Sequence, residues 1–241
     1  MRESTLRFVL LLSIFLSGAA GTFALPMSTR EEEPLETRRI ENLHLKAKSL
    51  ESLLARLAFS YEIPIGFEGT NQGESKPSYR LDFKQGTVAE LLALFAAQHK
   101  EYTWEIQEGV VTIFPRDKYR DVLIRQILST EIENLSIKEK TTCWAFANDL
   151  FSKPEVRDVL EANGTNFDVG YIGGFYLQQL GQKFSINFSR KTASSILNQV
   201  IRDSPVARVW IMRRDLSTNT ISLRISAEVE NIKKPAQSAR N

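Results

Sequence analysis

Two segments of this chain recur later in the same order, and such self-similarity constrains the fold more than any single motif. The segment IENLHLKAKS at 40–49 aligns with IENLSIKEKT at 132–141, with an offset of 92 residues. A second segment, LDFKQGT at 81–87, aligns with INFSRKT at 186–192, with an offset of 105. The chain is therefore predicted to contain one small unit built twice, with 13 more residues in the middle of the second copy.

Hydrophobic periodicity predicts the same helices in both copies. Apolar residues recur at i, i+3, i+4, i+7 and i+8 after Thr87 and again after Thr192, which is the pattern of one helix face. Thr87 and Glu90 form a capping-box pattern, which places the start of the first of these helices. An earlier helix in each copy is predicted after Ser49 and, one residue out of step with the repeat, from Cys143.

The segments around these helices alternate apolar and polar residues, as half-buried strands do. Each unit is predicted to have the order β-α-β-β-α-β-β, so the fold class is α+β: two tandem units, each a small mixed sheet with helices packed on one face. An additional helix is predicted at 154–161, because Pro154 is typical of a helix start and Asn163-Gly164 of a helix end. The connecting segment 119–128 is compatible with either a strand or a helix.

The N-terminal residues predict export. The first residues of the chain include the basic Arg2 and Arg7. An apolar run follows from Phe8 to Leu16, and small residues then lead to Ala24. This is the layout of a signal peptide, and the run is shorter than the roughly 20 residues of a membrane span. An uncleaved N-terminal anchor is the alternative. The predicted segments are a signal peptide at 1–24, a charged linker at 25–39, a first domain at 40–115, a connector at 116–131, a second domain at 132–227 with the inserted helix, and a flexible tail at 228–241.

The charge balance argues against two classes of partner. The chain carries 31 basic and 29 acidic residues, a formal net charge of +2. A nearly neutral chain has no overall field that would hold nucleic acid or an anionic membrane surface. We therefore expect no nucleic-acid partner and no stable membrane insertion after cleavage of the signal.

The single cysteine and the two histidines offer little support for catalysis. Cys143 could be a nucleophile with His44 or His99 as its base, but a reactive thiolate needs a neighbouring base and a polarising environment. Cys143 instead lies in the apolar stripe of its predicted helix, which indicates a buried core residue. The sequence also has no zinc-type ligand spacing and no calcium-loop pattern. We expect no catalytic, cofactor-binding or metal-binding residues, and no cofactor.

The most unusual local composition is the glycine-rich segment 170–176, which contains Tyr171, Phe175 and Tyr176. Glycines permit a tight turn, and aromatic rings supply contact area of the kind that interfaces favour. The alternative is that Tyr171 ends a strand while Phe175 and Tyr176 fill the core beneath the loop. Trp144 lies off the apolar stripe of its helix and is a further candidate contact residue.

Residues 42–115 resemble the STN domain, the short N-terminal module of secretins and TonB-dependent transducer receptors. The segments that carry the resemblance are LHLKAKSLESLL from 43, IPIGF from 63, FKQGTVAELL from 83 and VVTI from 110. The resemblance implies a periplasmic domain of βαβ repeats that contacts partner proteins. Residues 134–226 resemble the family more loosely. The family's Gly-Thr-Gly-Leu tract is QHKEY at 98–102 here, and no pore or barrel sequence follows, so receptor and pore activities are not implied.

These observations predict an exported, non-enzymatic periplasmic module for protein interaction, an adaptor or binding protein that contacts another envelope protein through a sheet edge or a sheet face. The alternatives are a structural component of an envelope secretion assembly, a small-molecule or glycan binder that uses the aromatic segment, and an enzyme that uses Cys143. A homo-oligomer is compatible with the sequence. A secreted or N-terminally anchored chain is the alternative to a periplasmic one.

Overall fold

The computed structural model describes residues 33–69, 78–138, 142–169 and 185–227, which belong to one compact unit that begins at Glu33. In the first half of the chain, the elements follow the predicted β-α-β-β-α-β-β order. They are β1 Arg39–Ala47, α1 Leu50–Tyr61, β2 Ile65–Glu68, β3 Tyr79–Thr87, α2 Val88–Gln98, β4 Tyr102–Gln107 and β5 Val110–Pro115.

The second half repeats this order with one extra helix. A short 3-10 helix, Asp117–Tyr119, and an α-helix, α3 Val122–Ser129, form the connector, so the segment that was compatible with either a strand or a helix is helical. The remaining elements are β6 Glu131–Ile137, α4 Cys143–Phe151, α5 Pro154–Ala162, β7 Asn166–Val169, β8 Ile186–Thr192, α6 Ala193–Asp203, β9 Ala207–Asp215 and β10 Thr220–Ala227. The predicted inserted helix is confirmed as α5, with Pro154 in its first turn.

Four of the helices begin at a hydroxyl side chain, and the sequence predicts two of these caps, Ser49 and Thr87. In each of the four helices the cap oxygen accepts a hydrogen bond from the backbone N–H three residues later; the caps are Ser49, Thr87, Thr142 and Thr192. Thr87 and Glu90 form the complete capping box. Each such cap stabilises its helix by about 1 kcal/mol, so the helix starts are set by local sequence.

The two repeated segments of the sequence pair with each other, and they do so in the same register in both halves. β1 pairs antiparallel with β3, with Leu43 opposite Phe83. β6 pairs antiparallel with β8, with Leu135 opposite Phe188. Each half therefore has a two-stranded ladder whose inward-facing apolar residues lie in equivalent positions.

The remaining six strands form one central sheet, in the order β4-β5-β2-β9-β10-β7. Three neighbouring strands come from each half. In each set the two consecutive strands of a hairpin, β4–β5 or β9–β10, pair antiparallel, and the strand that lies in sequence between the two ladder strands, β2 or β7, joins in parallel. The two sets meet where β2 pairs parallel with β9. We call this pair the inner seam.

The two halves cover opposite faces of the central sheet. Along β9, Val209 and Ile211 belong to the apolar core that contains α1 and α2, whereas Trp210 and Met212 belong to the core that contains α4 and α6. Successive residues of a strand point to opposite faces, so the helices of the first half lie on one face and those of the second half on the other. Residues 209–212 of β9 are consequently buried on both faces.

The α+β class is confirmed, but the two predicted units do not have separate sheets. The prediction placed a small sheet with helices on one face in each unit. The structure joins the two sets of strands at the inner seam, and the joined sheet carries helices on both faces. The physical reason is the run Val209 to Met212, which is apolar on both faces and is fully covered only when both helix layers contact it. Within the described ranges, no helix is long and apolar enough to cross a membrane.

Candidate functional site

At the inner seam, a large buried side chain of one strand packs against a glycine of the other. Trp210 on β9 lies beside Gly66 on β2 and is completely buried. A Cβ atom added at Gly66 would overlap the indole ring of Trp210. The indole Nε1 donates a hydrogen bond to Asn198 Oδ1 on α6, at 2.8 Å, so the one polar atom of the ring is satisfied. The inner seam is therefore closed, and the surfaces left for a partner lie elsewhere.

The central sheet ends at β4 on one side and at β7 on the other. Neither of these strands pairs with a further strand among the residues that the structure describes. We call the unpaired sides of β4 and β7 the outer edges. A strand at the edge of a sheet presents backbone N–H and C=O groups that another chain can pair with.

The register of β4 shows which backbone groups face outward. β4 and β5 are joined by the two-residue turn Glu108-Gly109, and both turn residues have positive φ. The backbone N–H of Arg116 donates to Glu101 O at 2.8 Å. Because hydrogen-bonded and non-bonded pairs alternate along an antiparallel ladder, the N–H and C=O groups of Trp104 and Ile106 point away from β5.

The two faces of β4 differ in polarity. Tyr102, Trp104 and Ile106 pack on the core of the first half. The side chains on the opposite face are polar and partly or fully exposed, and they are Thr103, Glu105 and Gln107. Charged and polar side chains on an edge strand limit uncontrolled pairing, so this edge suits a partner that contributes its own polar contacts.

Trp144 is a large apolar side chain on the surface, with 55% of its area exposed. It is the second residue of α4, and the preceding residue, Cys143, points into the core. Of the four predicted contact residues, Trp144 alone can be placed; Tyr171, Phe175 and Tyr176 lie outside the described residues. An exposed tryptophan is typical of a contact surface, and the sequence identified it because it lies off the apolar stripe.

The environment of Cys143 does not favour a nucleophile. The side chain is completely buried in the core of the second half, and this burial raises the pKa of the thiol to about 12. His44 lies on the exposed face of the first ladder, where its Nδ1 is 2.9 Å from Asp82 Oδ1. His99 is buried beside the rings of Tyr79 and Phe95. In the described ranges, no group of three or more His, Cys, Asp or Glu residues could hold a metal ion.

A buried ion pair beside the inner seam has no signal in the sequence. The Glu68 carboxylate accepts hydrogen bonds from Arg120 Nε at 2.9 Å and from Arg120 Nη2 at 2.6 Å. The guanidinium also lies 4.6 Å from the ring centre of Phe114. Burial raises the pKa of Glu68, and the hydrogen bonds from Arg120 oppose that rise. The pair fixes the connector against β2, and the sequence separation of 52 positions between the partners explains why no local pattern predicts it.

No family model, no curated protein and no solved structure matches this chain.

Proposed function

We propose that this protein is an exported, non-enzymatic periplasmic adaptor or binding module of the STN type, which recognises another envelope protein at the outer edge of β4. The observation that carries the proposal is the row of outward-facing backbone groups at Trp104 and Ile106. A partner strand can hydrogen-bond to such a row, while its side chains contact the two faces of the edge.

The character of the neighbouring surface supports protein recognition. Trp104 and Ile106 are only partly buried, and the polar residues Thr103 and Glu105 alternate with them on the opposite face. A mixed surface of this kind is typical of contacts that form and dissociate. The high pKa and complete burial of Cys143 weigh against the alternative of a Cys143 enzyme.

Export and the family assignment rest on the sequence. The charged and apolar N-terminal residues have the layout of a signal peptide, and the β-α-β-β-α-β-β order of the first half agrees with the βαβ repeats that the resemblance implies. A glycan-binding function would use Tyr171, Phe175 and Tyr176, and no described residue favours it.

Site-specific photo-crosslinking in the native envelope tests this function. A photoreactive side chain replaces Thr103 at the outer edge of β4, and the matched control replaces Lys84, an exposed residue on the outer face of the first ladder. We expect a discrete crosslinked protein from position 103 and none from position 84. Identical products from both positions, or no product from either, would contradict recognition through this edge.

A further inference from the structure

We infer that the outer edge of β4 accepts the outer edge of β7 from a second copy of this chain, so that copies associate head to tail through a repeat of the inner seam. This inference rests on the proposed function and names the partner for the same edge. It follows from the equivalence of the two halves of the central sheet.

The strand registers show that equivalence residue by residue. In each half a row of paired residues crosses three strands, and the two rows are Trp104–Ile113–Phe67 and Met212–Leu223–Val169. The rows place β4 in the position of β9, and β2 in the position of β7. The inner seam joins a β2-type strand to a β9-type strand. The outer edges are one strand of each type, so they are complementary to each other and not to themselves.

The orientation of the two halves also permits further copies to be added to the sheet. The helices of the first half and of the second half lie on opposite faces, so each step from one half to the next turns the sheet over. A second copy added at β7 would begin with its own first half, and its helices would lie on the same face as those of the first half before it. Every copy in the series would then have the same orientation. Contacts of this head-to-tail type build rings or filaments.

The inner seam predicts the residues that meet between copies. Within one chain, residues 65–67 lie beside residues 209–211 in parallel. The counterparts of these segments are 167–169 and 101–103. The backbone N–H of Gly69 donates to Met212 O at 2.8 Å across the inner seam, and the counterpart of Met212 is Trp104, whose carbonyl faces outward.

A side chain on α1 shows how a helix contributes contacts across the inner seam. Glu51 is the second residue of α1, and it reaches over the sheet to the second half of the chain. Its Oε1 lies 3.2 Å from Arg213 Nη1, and its Oε2 lies 3.5 Å from Arg224 Nη1. The first turn of α1 therefore extends across the inner seam.

Trp144 is the counterpart of Glu51, since both are the second residue of a helix with a hydroxyl cap. The counterparts of Arg213 and Arg224 are Glu105 and Phe114. In a head-to-tail pair, Trp144 of one copy would thus lie against Phe114 and Glu105 of the next. Phe114 is half-buried under the guanidinium of Arg120. This placement accounts for an exposed tryptophan at a position where the first half has a charged residue.

The outer contact is weaker than the inner one. Glu101 and Thr103 occupy the positions of the apolar residues Val209 and Ile211, and Asp168 occupies the position of Gly66. Burial of such polar groups against a partner costs free energy unless each finds a hydrogen bond. We therefore expect reversible association that depends on the concentration of the chain.

Disulfide trapping between two single variants of the full chain tests the geometry. The inferred register places Thr103 of one copy beside Val169 of the next. When Thr103→Cys and Val169→Cys chains are mixed under mild oxidation, we expect a covalent dimer that contains one of each. Neither variant alone should form this dimer, and the parent chain is the control for Cys143. Dimers of Thr103→Cys with itself, or no dimer in the mixture, would overturn the inference.

Sedimentation velocity over a range of concentrations gives a second test with uncrosslinked protein. The average mass of the parent chain should rise with concentration, and Trp144→Ala should weaken the association about tenfold or more. Lys84→Ala is the control for an exposed residue away from both edges. Circular dichroism confirms that each variant is folded. A parent chain that stays monomeric, or a Trp144→Ala chain that associates equally well, would overturn the inference.

The two proposals can fail separately. If position 103 crosslinks another envelope protein while the mixed disulfide dimer does not form, the binding function stands and the head-to-tail contact is wrong. If position 103 crosslinks only a second copy of this chain, recognition through the outer edge of β4 and the head-to-tail contact both stand, and a different envelope protein as the partner is wrong.

Discussion

The inner seam and the outer edges are built from equivalent strands, yet the inner seam is paired and buried, whereas the outer edges have no strand partner among the described residues. At the inner seam, Gly66 leaves space for Trp210, and Val209 and Ile211 present an apolar face to α1. The outer edges have Asp168 and Thr103 in corresponding places. The inner seam and the outer edges involve the same two types of strand, so what distinguishes them is the size and polarity of their side chains. A few side chains therefore distinguish the buried strand pair of the core from a more polar sheet edge.

The largest expected effect comes from filling the space at the inner seam. Gly66→Ala places a methyl group inside the volume of the Trp210 ring, which is packed and cannot move without losing its hydrogen bond to Asn198. We expect a loss of about 3 kcal/mol in the free energy of unfolding, measured by denaturant titration. Gly164→Ala is the control, because no atom lies within 4 Å of its added Cβ and its cost is limited to the positive φ. Equal stability losses in the two variants would show that the inner seam is not tightly packed.

Removal of one partner of the buried ion pair should lower the free energy of unfolding slightly less than Gly66→Ala does. Arg120→Met leaves the Glu68 carboxylate buried without its hydrogen bonds, and we expect a loss of about 2–3 kcal/mol near neutral pH. Burial already raises the pKa of Glu68, and the substitution raises it further. A raised pKa means that the folded state holds its proton more tightly, so stability is greatest at low pH and falls as pH rises through the folded pKa.

The loss caused by Arg120→Met should therefore shrink as the solution is acidified and Glu68 takes up a proton. Denaturant titrations at several pH values measure this change. The double variant Glu68→Met with Arg120→Met is the control, since it leaves no buried charge at the pair. A loss from Arg120→Met that is the same at every pH would contradict the assignment of Glu68 as a buried, titrating group.

An exchange of counterpart residues compares the inner seam with the outer edge directly. Ile211→Thr puts a hydroxyl into a buried site, and we expect a loss of about 2 kcal/mol in the free energy of unfolding. Thr103→Ile makes the opposite change at the outer edge of β4, and stability should stay within about 0.5 kcal/mol of the parent. Self-association measured by sedimentation should increase in Thr103→Ile alone. Equal losses of stability would mean that the outer edge is covered in the monomer.

The smallest effect is expected at an exposed charge cluster away from both surfaces. Hydrogen bonds from His44 and then Arg80 hold the pKa of the Asp82 carboxyl below its ordinary value. A lowered carboxyl pKa stabilises the folded state above the unfolded pKa, and this contribution is lost as pH falls through the folded pKa. Asp82→Asn should therefore be slightly less stable than the parent near neutral pH and equal to it in strong acid. A difference that persists in acid would be inconsistent with a titration effect.

The elements of the fold were predictable because their signals are local. Ser49 and Thr87 mark helix starts through hydrogen bonds to residues three positions away. Pro154 marks the start of the inserted helix because its fixed φ suits the first helical turn. Trp144 was predictable as an exposed residue, because helical periodicity alone places it off the apolar stripe. The outer edges were not predictable, since β4 and β9 both read as half-buried strands until their neighbours are known.

The sequence by itself determined the order of helices and strands in each repeated unit and the helix caps at Ser49 and Thr87, whereas the pairing of the repeated segments in two ladders came from the structure. Only the tertiary structure decided that two sets of three strands share one sheet, that their helices cover opposite faces and that β4 and β7 remain at the ends. The physical reason is the distance in sequence between the residues that interact. Caps and periodicity involve residues a few positions apart, whereas the inner seam depends on Gly66 fitting Trp210 and on Glu68 pairing with Arg120, and those contacts exist only once the chain has folded.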